Sequence, residues 1–535
     1  MLLFIKKCLT ERVTIMKVKR FFALLLSIIL LCTVAVPAVN ASEDTEYPVI
    51  YVPGTRNPLY ADKNNPSQNN RIWKIGVDVG ATVKEALAPC LKELALGVVR
   101  DDYDAYCDEL VNTVVPLFEK VVLDKNGEAS NGSGVEKESA SRNYPVKHGN
   151  YNFWDYHFVY DWRLSPMDVC HQLKYHIDRV KALTGEDKVV LIGRCMGANM
   201  ISAYFTEYYD HAKENVDSIV MYEPSSLGLD LLGAIYSGQL SLNDERVDEF
   251  LNYYLEHEDL IEDETTAEFV CALVSVLQDM RILGIGTELV NKLLENVKDN
   301  LIPRLLLGTF GSFPSFWSMI GEEYYEDAMK FVFGGKEDEY KGFIEKNNDW
   351  HYNVMQKLPE TMKALEADGV DFSVIVKYNV PGYPFYENSK QQGDMVSDVY
   401  HVSFYATSAD YGEKLSEEYI NSLSDKKYLS PDHVIDASTC LFPNTTWFIK
   451  DISHDPFPPS NDRLIKEFIS SNGELTVFDD ERYPQYLQYD AENDTITPLT
   501  AEEEAPAKND LIKAFDNFIR FIKAFFNFIA MLFKK

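Results

Sequence analysis

Short runs of apolar, β-branched residues alternate along the chain with stretches in which apolar residues recur every three or four positions. The runs at 47–52, 155–159, 189–193, 217–222, 370–376 and 446–449 read as strands, the last of them closing the sheet. Helical spacing marks 83–94, 104–118, 169–183, 198–204, 246–255, 267–283 and 288–297; in 169–183 the apolar positions are Val169, Leu173, Ile177, Val180 and Leu183. Strand, helix, strand, helix in succession predicts a mostly parallel sheet with right-handed crossovers and flanking helices, an α/β class. Two segments interrupt it. Residues 57–150 read as an insertion, with a polar loop tip at Lys125–Gly134, and residues of about 225–367, too long for a loop and mostly helical, read as a cap.

The chain's two ends follow other patterns. Lys17, Lys19 and Arg20 precede an apolar run from Phe21 to Val36, and Val39-Asn40-Ala41 then places small residues at a cleavage site. Residues 1–41 therefore read as a secretory signal peptide, with 1–15 an upstream start-site artefact because Met16 begins a signal of ordinary length. A main domain at 42–499 is followed by an acidic, proline-containing linker at 500–508. Residues 509–535 follow as a C-terminal segment in which Leu511 to Phe533 are Leu, Ile, Met, Ala and above all Phe, broken by a narrow polar stripe at 513, 516, 517, 520, 523 and 527. That stripe has helical period and its charges interrupt any spanning run, so an amphipathic helix on a membrane surface is expected.

Net charge is −33, which argues against a nucleic-acid partner. The signal segment carries a local +5, so the chain beyond it is at −38. It retains six cysteines, 90, 107, 170, 195, 271 and 440, whose spacings fit no metal site; no cofactor motif is present. An exported chain can form disulfides, with Cys90 and Cys107 the first candidates, though spacing leaves the pairing open.

Candidate chemistry centres on Lys188–Tyr204. A buried strand ends at Gly193-Arg194-Cys195-Met196-Gly197 and a helix follows. Small residues two before and two after a central nucleophile, between strand and helix, are the signature of a nucleophile elbow. The turn lifts the side chain off the sheet, crowds its neighbours so that Gly193 and Gly197 are needed, and aims the Met196 backbone N–H at a developing oxyanion. The nucleophile here is Cys195, a better intrinsic nucleophile than serine once a histidine favours its thiolate. The competing readings are a buried structural cysteine and an elbow that binds without reacting.

Tyr160-Asp161-Trp162-Arg163-Leu164-Ser165-Pro166, one helix ahead of that elbow, resembles the lecithin:cholesterol acyltransferase family of α/β hydrolases and its bacterial lipase-like relatives. The resemblance extends over Tyr47–Asn57, Asp155–Pro224 and Leu429–Ile469. It implies an α/β-hydrolase fold with a large helical cap, and a lipase, esterase or acyltransferase acting on lipid-like acyl esters. Cysteine replaces the family's serine; a Gly-x-Cys-x-Gly elbow also resembles polyhydroxyalkanoate synthases and dienelactone hydrolases. In such a fold the loop after the first strand, Pro53-Gly54-Thr55, supplies the second oxyanion donor, expected at Thr55. Asp161 and Arg163, flanking Trp162, read as a charge pair holding a loop near the site. By resemblance Asp432 takes the place of the family's acid, with Asp436 the runner-up, and His454, on the loop after the final strand, takes that of its base, with His433 the rival. The order Cys195, Asp432, His454 is then that of an α/β-hydrolase triad. Phe310, Phe313, Phe316 and Trp317, in a glycine- and proline-broken stretch of the cap, read equally as a lid or acyl-pocket wall and as plain cap core.

The expected enzyme is secreted, or peripheral on the outer face of the cell membrane, and acts through a thioester on Cys195. The alternative from another class is a surface binding protein that keeps the fold and has lost the reaction.

Overall fold

The structure, a computed structural model, describes residues 47–73, 93, 97, 100, 102–136, 144–146, 148–149, 151, 155–256, 287–454, 457–470 and 475–501. The signal segment, Cys90, Cys271, most of the 83–94 helix, the 267–283 helix, residues 502–508 of the linker and the C-terminal helix lie outside them.

Seven strands form one sheet in the order of the chain: β1 (Val49–Val52), β2 (Val189–Arg194), β3 (Val216–Tyr222), β4 (Asp371–Tyr378), β5 (Thr446–Lys450), β6 (Tyr486–Asp490) and β7 (Thr495–Pro498). Neighbours are parallel except the β6–β7 hairpin. This is the α/β-hydrolase class of sheet, flanked by helices. It differs from the pattern-based expectation at two places. Thr446–Lys450 is not the last strand, because β6 and β7 extend the sheet beyond it. The 155–159 stretch is a turn and an irregular segment that gives β1 a ladder-like bond from Phe158 N–H to Tyr51 O (2.9 Å).

The strands read as continuous apolar runs because both faces are covered. Alternate residues go to opposite sides. Ile50, Val52, Leu191, Ile219, Met221, Val374 and Val376 enter the larger core, while Val49, Tyr51, Val190, Ile192, Val220, Ile375 and Trp447 enter a second, smaller one. In chain order, α1 (Asp104–Val114) is the first labelled helix and α2 (Pro166–Thr184) leads into β2. The Ser165 side chain caps α2, Pro166 occupies its first turn, and Gly185 ends it in the left-handed conformation (φ 79°). Then come α3 (Met196–Glu207), between β2 and β3, and α4 (Asp230–Ser237), α5 (Asp244–Glu256), α6 (Thr287–Leu307) and α7 (Glu322–Phe333), all between β3 and β4. On the smaller core, α8 (Pro459–Ser470) inserts Leu464, Ile465, Phe468 and Ile469, with the Phe468 ring 4.2 Å from that of Trp447.

Candidate active site

At the end of β2 the chain reverses into α3 through a single residue, Cys195, whose φ of 49° and ψ of −124° lie where non-glycine residues are strained. Its N–H donates to Tyr222 O of β3 (3.0 Å), and its carbonyl accepts from Ala198 N–H (3.0 Å). The flanking glycines allow close approach. A Cβ on Gly197 would stand 2.0 Å from Val52 O, and one on Gly193 would stand 2.8 Å from the Ala198 Cα. Cys195 is 6 % exposed, at the start of a helix whose first N–H groups have no intrahelical acceptor. The β1 loop closes on the same point: a Cβ at Gly54 would lie 3.8 Å from the Cys195 Cβ and 3.9 Å from Met196 N. That loop is held by Asn57, whose Nδ2 donates to Tyr160 O (3.0 Å), and by Trp162 Nε1–H, which donates to Asn57 O (3.0 Å). Thr55 within it is buried.

His454 follows β5, and its Nδ1 is 2.8 Å from Asp394 Oδ2. Asp394 sits on the loop after β4. Its other oxygen accepts from Val396 N–H (3.1 Å), Ser397 N–H (2.7 Å) and Ser397 Oγ–H (2.8 Å). A backbone bond from His454 N–H to Asp394 O (2.9 Å) joins the two loops directly. Burial opposes charge on both groups. Mutual attraction, with the loop donors on Asp394, outweighs it, so Asp394 is held well below the carboxylate range. His454 is raised well above its ordinary value: burial works against this, and Asp394, Glu223 and Cys195 overcome it.

Behind the pair lies a buried ionic group. Glu223, directly after β3 with φ 47°, has Oε1 3.9 Å from His454 Nδ1 and 3.1 Å from Lys377 Nζ, and Oε2 3.7 Å from Arg194 Nε. Two of these cations also grip the base: Arg194 Nη2 (2.7 Å) and Lys377 Nζ (3.0 Å) both donate to His454 O. Burial pushes the Glu223 carboxyl up to about 7 against the pull of Lys377, and pushes the Lys377 ammonium down to about 8.

The acid expected from the family pattern is corrected. Asp432 does not serve His454, because its Oδ2 is taken by Lys450 Nζ (3.1 Å) and the Tyr378 hydroxyl (3.3 Å), and its Oδ1 accepts from Val434 N–H (3.3 Å). Asp436 is occupied by Tyr419, by Ser438 N–H and by Ser438 Oγ–H, each at 2.9 Å. His433 is exposed. Asp394, Glu223, Lys377 and Arg194 were missed. A signal existed for Asp394: Gly393-Asp394-Met395-Val396 is an acid between small and apolar residues soon after a central strand.

Asp161 and Arg163 form a two-armed ion pair, Nε to Oδ1 2.9 Å and Nη2 to Oδ2 2.6 Å. The free arm of Arg163 donates to Val121 O (2.6 Å) and Ser133 Oγ (3.0 Å), tying down the polar loop that carries Lys125–Gly134. Phe310, Phe313, Phe316 and Trp317 are all fully buried. The three phenylalanine rings meet one another edge-on or tilted, Phe313 meets Trp162 edge-on (5.7 Å) and Trp317 meets Tyr236 edge-on (5.0 Å), so in this conformation they are core rather than an exposed lid. Among the described residues Cys107, Cys170 and Cys440 have no disulfide partner, and burial pushes each thiol up to about 12. The Cys107 partner expected at Cys90 lies outside the described residues.

Residues 156–242 match the lecithin:cholesterol acyltransferase family. That stretch is similar to the lecithin:cholesterol acyltransferase family, and together with the parallel sheet the likeness supports acyl-transfer or lipase-like hydrolase chemistry in general. The match spans Asp161–Arg163, Cys195 and Glu223; Asp394 and His454 lie outside it. No curated protein matches the chain.

Proposed function

We propose that the protein transfers acyl groups from lipid-like esters through a covalent intermediate on Cys195, with His454 as base and Asp394 orienting it. The observation that carries this reading is the strained Cys195 at the head of α3 in the same buried site as a His454–Asp394 pair 2.8 Å apart. His454 takes the thiol proton, or holds it in a thiolate–imidazolium pair, and the sulfur attacks the ester carbonyl carbon as the thiolate. The oxyanion is stabilised by the Met196 and Thr55 backbone N–H groups, donors typically worth about 3 kcal/mol each. Collapse expels the alcohol, which takes the proton back from His454, and leaves a thioester. Water or a second alcohol, deprotonated by His454, then attacks the thioester and restores the thiol. Strand–turn–helix geometry supports an elbow role for Gly193 and Gly197. Export through the signal segment and docking of the C-terminal helix on a lipid surface belong to the same reading, since they would bring the site to its substrates.

The test is to incubate the purified chain with a p-nitrophenyl acyl ester and measure intact mass after a rapid acid quench. One acyl adduct on Cys195 is expected, absent in Cys195→Ala and in His454→Ala. No adduct and no turnover across short and long acyl chains would point instead to a binding protein on this fold.

A further inference from the structure

Tyr160 reaches the site from the segment ahead of α2. It is fully buried, and its ring stacks on that of Phe158 (5.3 Å between centroids, 16° between planes), which fixes the phenol oxygen in place. The hydroxyl donates to Pro53 O (2.5 Å) and lies 3.3 Å from Gly54 O, so it meets two successive carbonyls of the β1 loop. Burial holds it protonated, well above the ordinary tyrosine range, and it stays a donor at neutral pH. The bonds to and from Asn57 fix where this loop lies; the hydroxyl fixes how its peptides are turned.

Those two peptides border the elbow. Pro53 O is 2.8 Å from the place a Cβ on Gly197 would take, and a Cβ on Gly54 would stand 3.8 Å from the Cys195 Cβ. A carbonyl oxygen turned toward Cys195 would repel negative charge developing beside it. In a trans peptide the carbonyl and the N–H point opposite ways. Drawing Gly54 O to the hydroxyl therefore turns the N–H of the same peptide, that of Thr55, to the other side. We infer that Tyr160 is a positioning residue for acylation: its hydroxyl gathers the Pro53 and Gly54 carbonyls and so presents the Thr55 N–H to the oxyanion. The inference rests on the acyl-transfer reading of Cys195. Tyr160 acts through the loop, and its proton is not transferred. The gain falls on the transition state, because the oxyanion forms only as the sulfur adds to the carbonyl.

The test compares the full chain with its Tyr160→Phe variant in two reactions of Cys195. Acylation by a p-nitrophenyl ester builds an oxyanion. Alkylation by iodoacetamide forms the sulfur–carbon bond as iodide leaves and builds none. Single-turnover release of p-nitrophenolate should slow at least about tenfold in Tyr160→Phe, toward the roughly 10²–10³ typical of losing one oxyanion donor, with KM little changed. Alkylation of Cys195, followed by peptide mass, should stay within about twofold, because it depends on the thiolate alone. Tyr160→para-aminophenylalanine, which returns an N–H donor to the same point, should recover most of the acylation rate. Unchanged acylation in Tyr160→Phe, a loss confined to KM, a parallel loss of both reactions, no recovery with the amino side chain, or loss of cooperative melting with the hydroxyl would each overturn the inference while leaving the acyl-transfer reading in place. A parent chain that takes no acyl group overturns that reading and the inference with it.

Discussion

A carboxylate can orient an imidazole only from a loop that leaves the sheet beside it. β4 and β5 are neighbours, paired from Val374 opposite Thr446 to Tyr378 opposite Lys450, so the loops that follow them run side by side and carry Asp394 and His454. Asp394→Asn should therefore lower the acylation rate about 10⁴-fold with KM little changed, by analogy with loss of the orienting acid in other triads. Asp432→Asn should leave that rate within a few-fold and lower stability, because it weakens a buried ion pair with Lys450. The reverse pattern in single-turnover kinetics would restore Asp432 as the acid. The same pair sets a pH dependence of stability. Asp394 is depressed in the folded state, so its contribution is present above its unfolded value near 3.9 and is lost as pH falls through the folded one. His454 is raised, so its contribution is full below its unfolded value near 6.5 and is lost as pH rises through the folded one. Urea melts at acid pH should show a shallower loss for Asp394→Asn than for the parent. Glu223 acts one step back, through His454 and its carbonyl grip. With its carboxyl at about 7, wild-type acylation should show an inflection near neutral pH that Glu223→Gln removes, while Glu223→Asp retains one. An unchanged profile in the glutamine variant would make Glu223 purely structural.

At the level of elements, legibility followed locality. β2, Cys195 and α3 could be read from the chain because strand, turn and helix are contiguous and the turn's glycines answer to steric demands a few residues away. The sheet could be read because two-sided burial leaves unbroken apolar runs. What escaped depends on contacts distant in sequence. Asp394 becomes a partner of His454 only across 60 residues, and Lys377 and Arg194 reach the same carbonyl from two different strands. The 155–159 run has strand composition, yet it makes its β1 contact as an irregular segment, while Tyr160 and Trp162 just beyond it anchor the β1 loop. The aromatic stretch of the cap tests composition against packing. Phe316 has no exposure and contacts Trp162, Phe310 and Phe313, so Phe316→Ala should cost about 3–5 kcal/mol in denaturant unfolding. A loss below about 1 kcal/mol, with altered acyl-chain preference, would show instead a side chain that faces substrate.

Charge on the scale of the whole molecule is strongly one-sided, −33, yet residues 508–535 carry six Lys/Arg and two Asp, a local +4. Among the described residues no helix is long and apolar enough to cross a membrane. The C-terminal segment lies outside them, and its pattern argues for lying on a surface rather than spanning it. Wound as a helix, the segment would put Lys513, Asp516, Arg520 and Lys523 on one stripe and phenylalanines around the rest of the circumference. A basic stripe beside so much aromatic surface fits an anionic headgroup layer with acyl chains beneath, and the acidic body would be repelled from that layer, held off by the 500–508 linker. The expected orientation is therefore helix down, body away. The chain from residue 42 should float with vesicles containing phosphatidylserine or phosphatidylglycerol, and a version ending at Ala507 should not. Binding by the full chain should weaken with salt, since the attraction between basic stripe and anionic lipid is screened. Equal flotation of both versions would move the lipid contact to the acidic body. Failure of both to float, with the full chain forming oligomers that the shorter one does not, would assign the helix to self-association.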